Sequence, residues 1–303
     1  MRLTRLFLVI FAAFTLAANA ATPAGDGVIT IKVSKSAKTY MALVEKWAEQ
    51  YMQTNPSMCI RVVTDKNAEA DLTLVNGSEK DEHTTPVARY ALLPVTSTAN
   101  PLLSDIQKKE WRGKDLRQLF FTAADVDEEY EEEVSKKNKL TDRLTVYTSS
   151  SRSSATSSFA SYFGRTTDDI KGNKIAGDDG YLLSAIKEDK ASVTFNPLSN
   201  VYDLSSRKVR SDLFLLPLNL KKPQVETLAN GTLDQVLQLI EEENIDLVPV
   251  ATVGLSAQTF DKDVDSFLTW IVSKGQDTNR EMGFLRIKEQ DSAQIIRLLD
   301  QEK

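Results

Sequence analysis

The stretch 144–163, LTVYTSSSRSSATSSFASYF, carries the residue types best suited to chemistry in this chain. A short apolar run gives way to a hydroxyl-rich turn around Arg152, and then to a segment that reads as a helix. Such a turn collects unpaired backbone N–H groups, hydroxyls and the positive end of a helix dipole at one point in space. That set of donors suits a tetrahedral oxyanion, and Arg152, Ser153, Ser154 and Thr156 are its candidates. The plainer alternative is an N-cap with an exposed arginine, since serine and threonine are favoured at helix starts without any ligand.

Ser36, Lys38 and Thr39 lie in the tight loop just after the alternating strand VITIKV. Lys38 and Thr39 open an expected helix over 38–52, where a cation opposes the dipole unless an anion is near. Asn76, in VNGSE, reads as shaping a turn with Gly77. Catalytic groupings are absent by comparison. The single histidine, His83, precludes a multi-histidine metal centre, and its place in the polar segment KDEHTTP does not suit a Ser-His triad. No spacing marks paired catalytic carboxylates or a lysine-activated serine, so no enzyme activity, cofactor or metal is expected. The acidic-to-basic run ADVDEEYEEEVSKKNK places Glu132 and Glu133 four residues before Lys136 and Lys137, the spacing of a solvated helical face. Its oxygens lack the glycine turn of a calcium loop.

The elements that must hold these donors follow from periodicity. Strands are expected at 28–33, 59–63, 72–75, 191–195, 213–218 and 246–253. Helices are expected at 38–52, 103–111, 114–121, 181–188, 233–243, 264–274 and 292–300. VARYALLPV at 87–95, interrupted by Pro94, suits a strand that leaves one lobe for another better than a central strand. Trp47, Tyr51 and Phe159 fall on apolar helical stripes and are expected in the core. Strands alternating with helices imply an α/β protein, and no internal repeat is visible in the sequence.

Residues 1–20 have the form of a secretory leader: Arg2 and Arg5, the apolar run LFLVIFAAFTLA, and a small-x-small site at Ala18 to Ala20. Cleavage near Ala20 and a periplasmic or secreted product are expected. No other stretch has the ~20 apolar residues needed to span a bilayer. The net charge of −6 becomes more negative once the leader's arginines are removed, which argues against nucleic acid and anionic membranes as partners. Cys59, the one cysteine, allows no internal disulfide and reads as an inert strand residue. The length accommodates two lobes at ~100 to 200 residues per domain.

Three further segments carry a resemblance: ITIKVSKSAKTYMALVEKWAEQYMQTNP, then ALLPVTSTANPL with IQKKEWRGKDLRQLFF, then FLTWIVSKGQDTNREMGFLRI. In that order they resemble the substrate-binding proteins of phosphate ABC importers, over most of the chain. The resemblance implies a type II periplasmic binding protein fold, with a mixed sheet flanked by helices in each lobe. Lobe one would comprise 21–92 and 196–303, and lobe two 93–195. It also implies a monomer that captures phosphate or a related oxyanion between the lobes and delivers it to an ABC permease. Its ligand loops map onto Ser36, Lys38 and Thr39 and onto Ser154 and Thr156. The family's arginine lies about four residues upstream of its Ser-Gly-Thr triplet, but here Arg152 lies two upstream. Asn76 stands where the family has an acid, and the serine-bearing turn between the second and third strands is missing. These departures leave an alternative open: a degenerate binding-protein scaffold serving as an interaction component of the envelope.

Overall fold

The computed structural model describes residues 27–77, 81–122, 139–150, 154–259 and 261–301. Strand β1 (Val28–Val33) leads through a 3-10 helix (Lys35–Tyr40) into α1 (Met41–Thr54), followed by β2 (Cys59–Val63), β3 (Leu72–Asn76) and β4 (Thr84–Ser97). Helices α2 (Leu103–Lys108) and α3 (Gly113–Phe120) precede β5 (Thr145–Ser149), α4 (Ser154–Tyr162), β6 (Asn173–Ile175), α5 (Asp179–Glu188) and β7 (Ser192–Pro197). Then come α6 (Leu198–Val201), the small hairpin β8 (Tyr202–Asp203) and β9 (Lys208–Val209), and β10 (Leu213–Leu215). Helices α7 (Lys222–Asn230) and α8 (Leu233–Glu242), strand β11 (Val250–Ala257) and helices α9 (Lys262–Ser273), α10 (Gln276–Glu281) and α11 (Glu289–Gln301) complete the described chain.

The long strand β4 organises the molecule. Its first half, from Thr84 to Ala91, pairs antiparallel with β11, and its second half, from Leu92 to Thr96, pairs antiparallel with β7. One side of the sheet therefore runs β2-β1-β3-β11-β4, and the other runs β6-β5-β7-β4-β10. The two orders are the same pattern: a first strand parallel to two neighbours, then two antiparallel additions. Two lobes of one topology thus share a strand, although the sequence shows no repeat. The fold is the two-lobed α/β arrangement expected.

Pro94 does not keep β4 from a central place. Its carbonyl accepts from the Leu216 N–H at 3.0 Å, on the flank where β10 ends. The missing donor faces that same flank, so no bond to β7 is lost. The second half of β4 is buried on both faces, consistent with an unbroken run of apolar and small polar residues. The change of partner falls between Ala91 and Leu92. Residues 196–215 still pair on the second sheet, through the end of β7 and through β10.

α1 forms because Leu43, Val44, Trp47, Ala48 and Tyr51 share one buried stripe. It stops at Asn55, whose backbone and side-chain N–H groups both donate to the Tyr51 carbonyl, and Pro56 follows. The Trp47 indole donates to Asn279 Oδ1 at 3.0 Å, and the Asn279 amide donates to the Val87 carbonyl at 3.0 Å. The Gly275-Gln276 turn thereby ties α1 and β4 to the C-terminal helices. Among elements not foreseen from periodicity are α7, the β8–β9 hairpin and α10. The last strand of the first sheet runs 250–257 rather than 246–253. Cys59 is exposed on β2, the outer strand of its sheet.

Candidate functional site

The segments that follow the parallel strands β1 and β5, the 3-10 helix and α4, meet, and the C-terminal ends of such strands are where open α/β sheets bind ligands. From lobe one comes the segment after β1. Lys38 and Thr39 do not open an α-helix there; they lie in the 3-10 helix that precedes α1, whose first residue is Met41. Ala37 and Tyr40 are buried and anchor this turn, leaving Lys38 exposed and Thr39 half-buried. Ser36 Oγ lies 3.0 Å from Ser34 Oγ. Because Lys38 is exposed in the last turn of a 3-10 helix, the expected conflict with the α1 dipole is weaker than the sequence implied.

From lobe two come α4 and α5. Helix α4 packs against the 3-10 helix, so the two hydroxyl-bearing segments do meet. Its buried residues Ala155, Thr156, Phe159 and Ala160 recur at helical spacing. Thr156 is therefore turned inward, at 1 % exposure. Phe159 stacks on Phe195 with ring centroids 3.8 Å apart and 3° between planes, so α4 is fixed by its apolar face. Arg152 and Ser153 lie outside the described residues, and of Ser154 only its place at the start of α4 is described.

The decisive contact involves a residue that sequence reasoning missed. The Thr39 hydroxyl donates to Asp179 Oδ2 at 3.0 Å, across the junction of the lobes. Asp179 is fully buried, and its backbone carbonyl accepts from the Asn196 amide at 2.8 Å. It belongs to the buried stripe of α5, with Leu182, Leu183 and Ile186. The preceding Asp178 caps the helix through Gly180 N–H at 3.0 Å. A reading that starts this helix at 181 leaves Asp179 off the stripe; a start at 179 places an acid on an apolar face, which was the available signal.

A second hydrogen bond crosses the junction beside it. Tyr90 Oη, on the lobe-one half of β4, lies 2.7 Å from Ser158 Oγ on α4. Burial pushes the Tyr90 phenol well above its ordinary pKa and the nearby Asp179 charge adds to this, against hydrogen bonds with Ser158 and Tyr40. Tyr40 packs on Tyr90 and Phe284, at 4.9 and 5.6 Å between ring centroids, forming an aromatic wall. Tyr162, at the end of α4, accepts from the Leu247 N–H at 2.8 Å. Asn76 ends β3 opposite Val253 and is 1 % exposed. The structure thus brings Thr39 and α4 together, adds Asp179, and leaves Lys38 at the surface. Among the described residues, no group of three His, Cys, Asp or Glu side chains could hold a metal.

Comparison of the whole fold with solved structures sets this junction in context. A structure titled as an ABC-type phosphate transport receptor from Vibrio cholerae superposes with a TM-score of 0.56 at 16 % identity, covering 86 % of this chain and 100 % of that one. Another, a possible phosphate binding protein from Planctomyces limnophilus, gives 0.51 at 14 % identity, covering 91 % and 98 %. The chain has the two-lobed fold of phosphate-binding proteins. At such identities the likeness extends to the fold and not to the ligand. No protein-family model matches the sequence, and neither does any curated protein. No described helix is long and apolar enough to cross a membrane.

Proposed function

We propose that this chain is an exported solute-binding protein that takes phosphate or a related small oxyanion at the junction of its lobes. It would act without catalysis and hand its ligand to an ABC permease. The observation that carries this reading is the meeting of the loop after β1 with α4 and α5, where Thr39 and Asp179 make contact across the lobes. Two lobes joined by a shared strand can open and close around such a point. The two-lobed fold shared with the structures of similar fold is consistent with a solute-binding role. Ser36, Thr39 and Thr156, with Arg152, Ser153 and Ser154 of the serine-rich turn, would supply donors; Lys38 would act from the rim and Asn76 from the end of β3. The segment 1–20 would direct export, and the lobes would act within a monomer.

Isothermal titration of the phosphate-free chain with phosphate, arsenate, sulfate and molybdate tests this reading. Saturable binding of at least one is expected, and heat-free titrations with all four at millimolar concentration would reject it. A second reading, a binding-protein scaffold acting as an envelope interaction component, is favoured by one observation. The polar groups at the junction already engage one another, as Thr39 does with Asp179 and Tyr90 with Ser158.

A further inference from the structure

The Thr39 hydroxyl is a donor assigned to the ligand on sequence grounds, and a carboxylate of the chain itself already accepts from it. A carboxylate presents to a hydroxyl the same group that an oxyanion presents: a negatively charged oxygen with free lone pairs. We propose that Asp179 is a built-in surrogate ligand, an internal anion that clasps lobe two to lobe one through Thr39 and must be displaced for a solute oxyanion to bind. The inference rests on the oxyanion reading for the identity of the competitor.

Three features place Asp179 in this role. It is fully buried, so its carboxylate is confined to the junction and kept from solvent. It is the first residue of α5, where the positive dipole end favours an anion. Its backbone carbonyl accepts from the Asn196 amide, and Asn196 in turn accepts from Asn200 at 2.8 Å, so the start of α5 is anchored to the end of β7. A solute oxyanion at the junction would have to take the Thr39 hydroxyl from the Asp179 carboxylate. Only one of the two anions can hold the Thr39 hydroxyl at a time. The clasp therefore sets both the affinity threshold of the site and the resting state of the lobes, which is closed without solute.

The test compares the full chain with Asp179→Ala, Asp179→Asn and Thr39→Val. Each is titrated with inorganic phosphate and with sulfate, and its radius of gyration is measured by small-angle X-ray scattering with and without phosphate. Circular dichroism and melting curves establish that each variant is folded, and Asp179→Asn keeps the side-chain volume if the alanine variant is not. Removing the charge is expected to tighten anion binding on the order of tenfold to a hundredfold. The anion-free Asp179 variants should be more expanded than the parent and should contract on adding phosphate. Thr39→Val should expand likewise without gaining affinity. Equal or weaker anion affinity in both Asp179 variants, with the parent still binding, would overturn the surrogate role and leave the oxyanion reading standing. Absence of binding by the parent and by every variant would overturn both.

Discussion

Tyr90 shows how much a single side chain at this junction can govern. Its phenol is buried, bonded to Ser158 and close to Asp179, and all but the hydrogen bonds disfavour ionisation. A phenol whose pKa is raised on folding binds its proton more tightly in the native state, so its stabilisation is complete below about pH 10, the unfolded value, and is lost as the pH rises further. Tyr202, raised by burial, acts in the same direction. Urea denaturation midpoints are therefore expected to fall steeply above about pH 10, and the Tyr90→Phe, Tyr202→Phe double variant should flatten that fall. A midpoint that declines equally in parent and variant would dissociate these phenols from the alkaline transition. At neutral pH, Tyr90→Phe should cost about 1 kcal/mol through the lost bond to Ser158. Thr39→Val should cost about 1 to 3 kcal/mol, because it withdraws a donor from a buried carboxylate.

At the scale of elements, α4 is positioned by aromatic packing rather than by its hydroxyls. Phe159 contacts Phe120, Phe121, Phe163 and Phe195. Phe159→Ala should destabilise the chain by about 3 to 5 kcal/mol in urea denaturation, and should weaken any junction ligand as α4 loses its seat. Glycine makes a comparable contribution in one place. Gly172 adopts φ +97°, and a Cβ there would lie 2.3 Å from the Val146 carbonyl oxygen. Gly172→Ala is expected to disturb the β5–β6 pairing and lower the melting temperature by several degrees. Helix stripes such as those of α1 and α8 were legible in the sequence because they need only local spacing. The start of α5 was not, because an acid at its first turn reads locally as a cap residue and becomes a junction group only when lobe one covers it. Pro94 was misleading for a related reason: its cost depends on which flank of β4 its nitrogen faces.

For the whole molecule, carboxylates on the periphery tie separate parts of the chain together. Arg207 grips Asp234 through two bonds, of 2.6 and 3.0 Å, and also donates to the Arg280 and Glu281 carbonyls, locking the β8–β9 hairpin to α8 and α10. The Arg207 hydrogen bond holds the Asp234 carboxyl below its ordinary pKa, and internal hydrogen bonds do the same for Asp81, Asp169 and Asp203. A lowered native pKa stabilises above the unfolded value of about 4 and is lost as the pH falls below it. The chain should therefore lose stability on acidification through that range, measured by urea titration at stepped pH. Asp234→Asn should show a smaller acid-dependent loss than the parent.

The sequence by itself determined the alternating α/β character, the β-α-β-β opening, the core stripes with Trp47, Tyr51 and Phe159, and the hydroxyl-rich segments after β1 and β5. All of these follow from residue types at short range, where periodicity, capping and turn chemistry act. Only tertiary structure decided that one strand serves both lobes, that Lys38 faces solvent, and that Thr39 meets Asp179. That last contact spans 140 residues of chain. It exists because the two halves of one sheet, joined through β4, bring the segment after β1 against the start of α5, a juxtaposition for which no local pattern carries a signal.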